Sequence, residues 1–186
     1  MDPLQLLMVC AGIAVPIAVY FWRESRYQNP AVRWKQLAPV LELSYEADPP
    51  RVSGSWKGRE LVVAAQEDGT AVLSLPLRAG RAVRVEIGPR ADVEKDAGII
   101  VPDRVRFPGL ADAAFENRFM VRATPVELGE TATDAAFRQR LMAMPDVRIL
   151  AGGDRLDMVF PLPTEARTLR DWMDIAASLA DAVDGN

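Results

Sequence analysis

The sequence predicts an α+β fold: an N-terminal transmembrane helix followed by a mainly antiparallel β domain with two helices in its C-terminal half. Three patterns predict it. An apolar run opens the chain, apolar and polar residues alternate with period two from Arg51 onward, and apolar residues recur every three to four positions over 133–144 and 164–185. The implied organisation is a short outside tail at 1–3, a span at 4–22, a juxtamembrane linker or helix at 23–50 and an α+β domain at 51–186.

The run from Leu4 to Trp22 is interrupted only by Gln5. At about 1.5 Å per residue it would cover about 28 Å, close to a hydrocarbon thickness of about 30 Å. Gly12 and Pro16 inside it are residues that membrane helices tolerate. A cleaved signal peptide would need a basic start and a small-residue cleavage site, and the run lacks both. Val9 before Cys10 argues against a lipoprotein signal, and the lack of a polar stripe argues against a buried core helix. Arg23, Arg26, Arg33 and Lys35 follow the run and predict a cytoplasmic C-terminal side, with the N-terminus outside. Arg23, Arg26, Tyr27, Arg33 and Trp34 are placed as interfacial anchors would be. The segment 31–41 has Trp34, Leu37 and Leu41 at helical spacing, which fits a helix on the membrane surface or one docked on the domain.

Asp48-Pro49-Pro50 marks a boundary. Strands are expected at 51–56, 60–66 and 71–77, with Asp68-Gly69 as a hairpin turn. Val83, Val85 and Ile87 alternate with Arg84 and Glu86, as a half-buried strand does. A further strand is expected at Ile99–Phe107, and a helical turn at Gly109–Ala114. Phe115, Asn117, Phe119, Val121 and Ala123 alternate with Glu116, Arg118, Met120 and Arg122, which predicts one strand. Thr133 and Asp134 can open a helix presenting Phe137, Leu141 and Met144. Gly152-Gly153-Asp154 joins two further strands. Leu169, Trp172, Met173, Ala176, Leu179 and Val183 then define an amphipathic core helix.

Composition removes several functions. The 186 residues are 49% hydrophobic and 26% charged, which indicates a folded chain, and the net charge of −4 argues against nucleic-acid binding. There is no histidine, and Cys10 is the single cysteine. Histidine-based catalytic triads, Cys/His zinc sites and histidine-ligated haem are therefore excluded within this chain. No cofactor or metal is expected.

The remaining polar clusters are nonspecific. Arg78, Arg81 and Arg84, with Arg90 beyond, form the densest basic stretch and are the candidate contacts for a partner or for lipid headgroups. A solvated strand face is the simpler reading, because Glu86, Asp92, Glu94 and Asp96 follow. Asp92, Glu94 and Asp96 alternate as in a calcium loop but lack its glycine and terminal glutamate. Glu67 and Asp68 could pair for glycoside hydrolysis, although residues at a hairpin tip more simply build the turn.

Phe115, Phe119 and Val121, followed by Pro125, the helix at 138–144 and the C-terminal helix, resemble an F-x-x-x-F-x-V block in uncharacterised bacterial single-span membrane-anchored proteins. That resemblance implies no activity and transfers no site residue. The plan of one span and a β-rich cytoplasmic domain is similar, in architecture alone, to the H subunit of photosynthetic reaction centres. The expected function is a non-catalytic accessory or scaffold subunit of a larger bacterial membrane protein complex at the inner membrane, of bioenergetic, photosynthetic or respiratory type, with the cytoplasmic domain mediating protein contacts. Its expected partners are integral membrane proteins and the lipid bilayer. The alternatives are a tethered enzyme using Asp, Glu or Ser, and a lipid- or ligand-sensing module.

Overall fold

The computed structural model describes residues 14–20, 30–78, 83–95, 102–107, 109 and 112–185. Its centre is a nine-stranded sheet in the order β1-β2-β3-β4-β9-β8-β5-β7-β6, antiparallel throughout. The strands are β1 (Ser44–Ala47), β2 (Pro50–Trp56), β3 (Arg59–Ala65), β4 (Thr70–Pro76), β5 (Arg84–Pro89), β6 (Asp103–Arg104), β7 (Phe119–Thr124), β8 (Arg148–Gly152) and β9 (Arg155–Pro161). The helices are α1 (Pro30–Val40), α2 (Arg90–Lys95), α3 (Ala113–Arg118), α4 (Val126–Ala132), α5 (Ala135–Met142) and α6 (Ala166–Asp184). The α+β class and the antiparallel pairing therefore hold.

The transmembrane helix does not. Among the described residues no helix is long and apolar enough to cross a membrane. Of the run Leu4–Trp22, residues 14–20 are described and helical, and their length of about 10 Å is a third of a hydrocarbon core. Positions 4–13, 21 and 22, which include Leu4, Gly12 and Trp22, lie outside the described residues, as do Arg23, Arg26 and Tyr27. The single-pass topology, its orientation and the inner-membrane placement rest on that span and fall with it.

The core forms where strand alternation meets helix periodicity. One line of paired residues runs from Tyr45 through Val52, Val63, Leu73, Met158, Ile149 and Ile87 to Val121. All but Tyr45 at the edge are fully buried. α6 covers this face with Leu169, Trp172, Met173, Ala176, Leu179 and Val183, and Trp172 stacks on Phe160 with ring centroids 5.0 Å apart. Each large aromatic removed from water is worth about 2–3 kcal/mol. Polar contacts lock the helix in place. Arg59, 6% exposed, forms ion pairs with Asp181 at 2.8 Å and Asp184 at 2.6 Å. Burial works against the Arg59 charge, but its interactions with Asp184 and Asp181 hold its pKa above the ordinary value. Two turns before Asp181, Asp174 accepts from the Trp56 indole at 3.0 Å and pairs with Lys57 at 2.7 Å.

α1 docks on the domain: Trp34, Ala38 and Leu41 are buried, and the Trp34 indole N–H donates to the Pro163 carbonyl at 3.4 Å. Of the two placements open for 31–41, the structure thus has the docked one. α4 lies close to β7 because residue 129 is glycine. A Cβ there would fall 2.5 Å from Val105 Cγ2 and 2.6 Å from Ala123 Cβ. Asp134 caps α5 by accepting from the Phe137 amide at 2.7 Å. Arg118 closes its other end, donating to the carbonyls of Met142 at 2.9 Å and Met144 at 2.6 Å, which satisfies carbonyls a helix end leaves open.

Three further expectations change. The strand expected over 115–123 begins only at Phe119, because Ala113–Arg118 is helical. The expected strand at Ile99–Phe107 is reduced to Asp103–Arg104, with 99–101 outside the described residues. The C-terminal half has more helices than two, since α3 and α4 join α5 and α6.

Candidate binding face

The opposite face of the sheet is only partly covered. Val93 of α2 sits over Gly88 of β5, where a Cβ would lie 2.9 Å from Val93 Cγ2. Toward β1 the face is open. A second line of paired residues crosses every strand on this side: Ser44, Ser53, Val62, Ser74, Asp157, Leu150, Glu86, Arg122 and Arg104. It is polar at both ends and apolar at Val62 and Leu150, which are 38% and 40% exposed. Alternation places these residues here, since each neighbours a core residue along its own strand.

Two depressions shape the face. One, of about 620 Å³, lies over β2–β4 and is lined by Ser53, Val62, Ser74 and Pro76 among others. The other, of about 410 Å³, lies over β9, β8 and β5 and is lined by Arg84, Leu150, Gly152 and Asp157. Both include Asp154 and Arg155, so they meet at the β8–β9 turn.

The polar groups between them are mostly committed to one another. The Ser74 hydroxyl donates to Asp157 Oδ1 at 2.6 Å, and Arg155 holds Asp157 Oδ2 at 2.8 Å. A carboxylate engaged through both oxygens is a poor general base, and this pair does not activate Ser74 as a nucleophile. Arg148 reaches Glu86 at 3.3 Å and Arg104 reaches Glu116 at 3.6 Å. Arg122 differs: its Nη1 is sealed from solvent and has no hydrogen-bond partner among the described residues. Arg84 stands exposed beside it.

Of the sequence-level candidates, Arg84 alone lies on this face. Arg78 follows β4, where its amide donates to Asp184 Oδ1 at 2.8 Å, and Arg81 is outside the described residues. Arg33 is half-buried and Trp34 is in the core. Pro16 lies in the helical stretch 14–20. Asp92 and Glu94 sit on α2, with Glu94 paired to Arg90 at 3.0 Å, and Asp96 is outside the described residues. No group able to hold a metal occurs among the described residues. Asp68 builds its turn by accepting from the Thr70 hydroxyl at 2.6 Å and amide at 2.9 Å, which lowers its pKa. Sequence reasoning missed Arg104, Arg122, Arg148 and Arg155. Their shared signal is an arginine on the polar phase of an alternating strand, but only the strand order brings them together.

Fold and face together define an antiparallel α+β domain with one sheet surface packed by helices and the other left half open. No family model and no curated protein matches the chain. Among solved structures it is similar to the mycobacterial trehalose monomycolate transport factor A, TtfA. The TM-score is 0.63 at 13% identity, over 83% of this chain and 94% of that one. At that identity the two share a fold.

Proposed function

We propose that this chain is a non-catalytic accessory protein and that a partner protein docks across the open face of its sheet. The observation that carries the reading is the pair Val62 and Leu150, exposed apolar side chains on a recessed surface with polar groups around them. An apolar centre within a polar rim is the composition of a docking surface. Asp157, the best-placed carboxylate of the face, is already bound through both oxygens, which speaks against a hydrolytic reading. The fold neighbour is titled a transport factor, and assisting transport is an accessory role of this kind.

Photo-cross-linking in the native host tests it. A cross-linkable residue at Val62 or Leu150 should give an adduct with the same protein, identified by mass spectrometry. Adding Leu150→Asp to the Val62 probe should abolish that adduct. A probe at Glu130, exposed on α4, should give none. Equal labelling at all three positions, or none at the first two, would refute the reading.

A further inference from the structure

We infer that the partner on the open face is a second copy of this chain, related by a two-fold axis that runs along the seam between β4 and β9. This rests on the docking reading and names its occupant from the pattern of the face itself.

The pattern follows from register. Two residues along each strand from the line containing Val62 and Leu150 runs another open-face line: Arg51, Ala64, Val72, Val159 and Arg148. Ala64, Val72 and Val159 are half-buried, and with Val62 and Leu150 they make one apolar patch. The patch is centred on the seam. Val72 and Val159 pair across it, while Val62 on β3 and Leu150 on β8 each stand one strand further out. A half-turn about the seam carries β4 onto β9 and β3 onto β8. It therefore sets Val72 over Val159 of the second copy and Val62 over its Leu150, and the reverse contacts repeat by symmetry. A closed two-fold interface needs a patch complementary to itself under that rotation. An unrelated partner imposes no such symmetry.

The charges obey the same rotation. Arg51 is paired with Glu46, Arg155 with Asp157 and Arg148 with Glu86. Glu60 and Arg84 are exposed and have no ion pair among the described residues, as has Asp154 on the turn at the margin of both depressions. Glu60 lies two residues before Val62 on β3, so its image on β8 is Gly152, two residues after Leu150. Arg84 of β5 is in register with Gly152. A glycine leaves the way open for the long Arg84 side chain to reach Glu60 of the second copy. The rotation makes two such ion pairs, at the rim of an apolar centre. Packed sheets lie about 10 Å apart with strands within about 30° of each other. The strands from β2 to β5 across the seam span roughly 29 by 20 Å. That is about 600 Å² in projection, close to the 800 Å² or so per partner of a standard interface.

The test is sedimentation equilibrium of the full chain, which should show a dimer. Glu60→Arg and Arg84→Glu should each weaken dimerisation by about tenfold, since each sets like charges across the interface. The double variant restores opposite signs and should return to within about threefold of the parent. Leu150→Asp should weaken the dimer by at least about tenfold. These side chains are exposed, so melting of the single chain should change little. With a photo-cross-linker at Val62, a mixture of isotope-labelled and unlabelled chains should give mixed dimers joined to the peptide that contains Leu150. A monomer at every concentration would overturn the inference, as would a dimer indifferent to these substitutions or a double variant weaker than the single ones. Adducts from Val62 to a different protein alone would overturn it and leave the docking reading standing. No adduct from Val62 or Leu150 in the native host would end both.

Discussion

Replacing Arg59 by methionine removes a buried cation that holds the end of α6 against β3. Asp184, whose side chain is 7% exposed, loses its ion pair with Arg59 and stays largely out of water. Breaking a buried pair from one side costs about 3–5 kcal/mol. The structure places the cost near the lower end. Asp181 is 65% exposed and recovers its solvation, and Asp184 keeps the Arg78 amide at 2.8 Å. A loss of about 3 kcal/mol corresponds to a melting temperature lower by about 6–12 °C for a chain of this length. Urea titration followed by tryptophan fluorescence reads the loss as a lower midpoint with an unchanged slope. The double change Arg59→Met with Asp184→Leu should recover part of it, because the buried carboxylate is removed together with its cation. If Arg59→Met alone stays within about 0.5 kcal/mol of the parent, the ion pairs do not hold the helix and the reasoning fails.

Three further outcomes follow from the fold. Gly129→Ala should destabilise by about 1–3 kcal/mol in the same titration, although alanine is the better helix former, because the added Cβ meets Val105 and Ala123; a gain in stability would show that α4 can move away from β7. Asp134→Ala should cost about 1 kcal/mol through loss of the α5 cap, measured as a shift in midpoint. Burial raises the Asp174 pKa, but the hydrogen bonds from Lys57 and Trp56 outweigh it and the group is held below the ordinary carboxylate range. A carboxyl depressed on folding stabilises fully above its unfolded pKa, about 3.9, and loses that contribution as pH falls through the lower folded value. Parent and Asp174→Asn should therefore differ by a constant amount near neutrality and converge below about pH 4; a difference that persisted into strong acid would assign it to packing instead of charge.

The parts legible in the sequence are those whose signal is local. The stripe of α6 marks a helix because Leu169, Trp172, Met173 and Ala176 can share a face in no other way. Asp68-Gly69 and Gly152-Gly153-Asp154 mark turns because Gly69 and Gly153 take positive φ, at 82° and 65°. Phe115 and Phe119 misled because their spacing fits both periods. They alternate as in a strand, yet they also stand one helical turn apart, and the rings meet at 5.5 Å with Phe115 on the helix. α4 has weak propensity, with Gly129 and Thr131 inside it, and its packing against β7 compensates. For the binding face, Arg84 was recognisable as a cation. Its proximity to Arg122 depends on β5 lying beside β7 while β8 and β9 return between β5 and β4, an order that no local pattern encodes.

That order gives β9 a singular position. The strands before it in the sheet, β1 to β4, form a simple meander, and all the others reach that meander only through the β4–β9 pairing. A chain cut short ahead of Arg155 would leave Val72 and Leu73 on a bare rim of unpaired amides and carbonyls, and such rims recruit other strands. During synthesis the meander leaves the ribosome well before its neighbour does. Throughout that interval the outer rim of β4 is open to pairing with other strands.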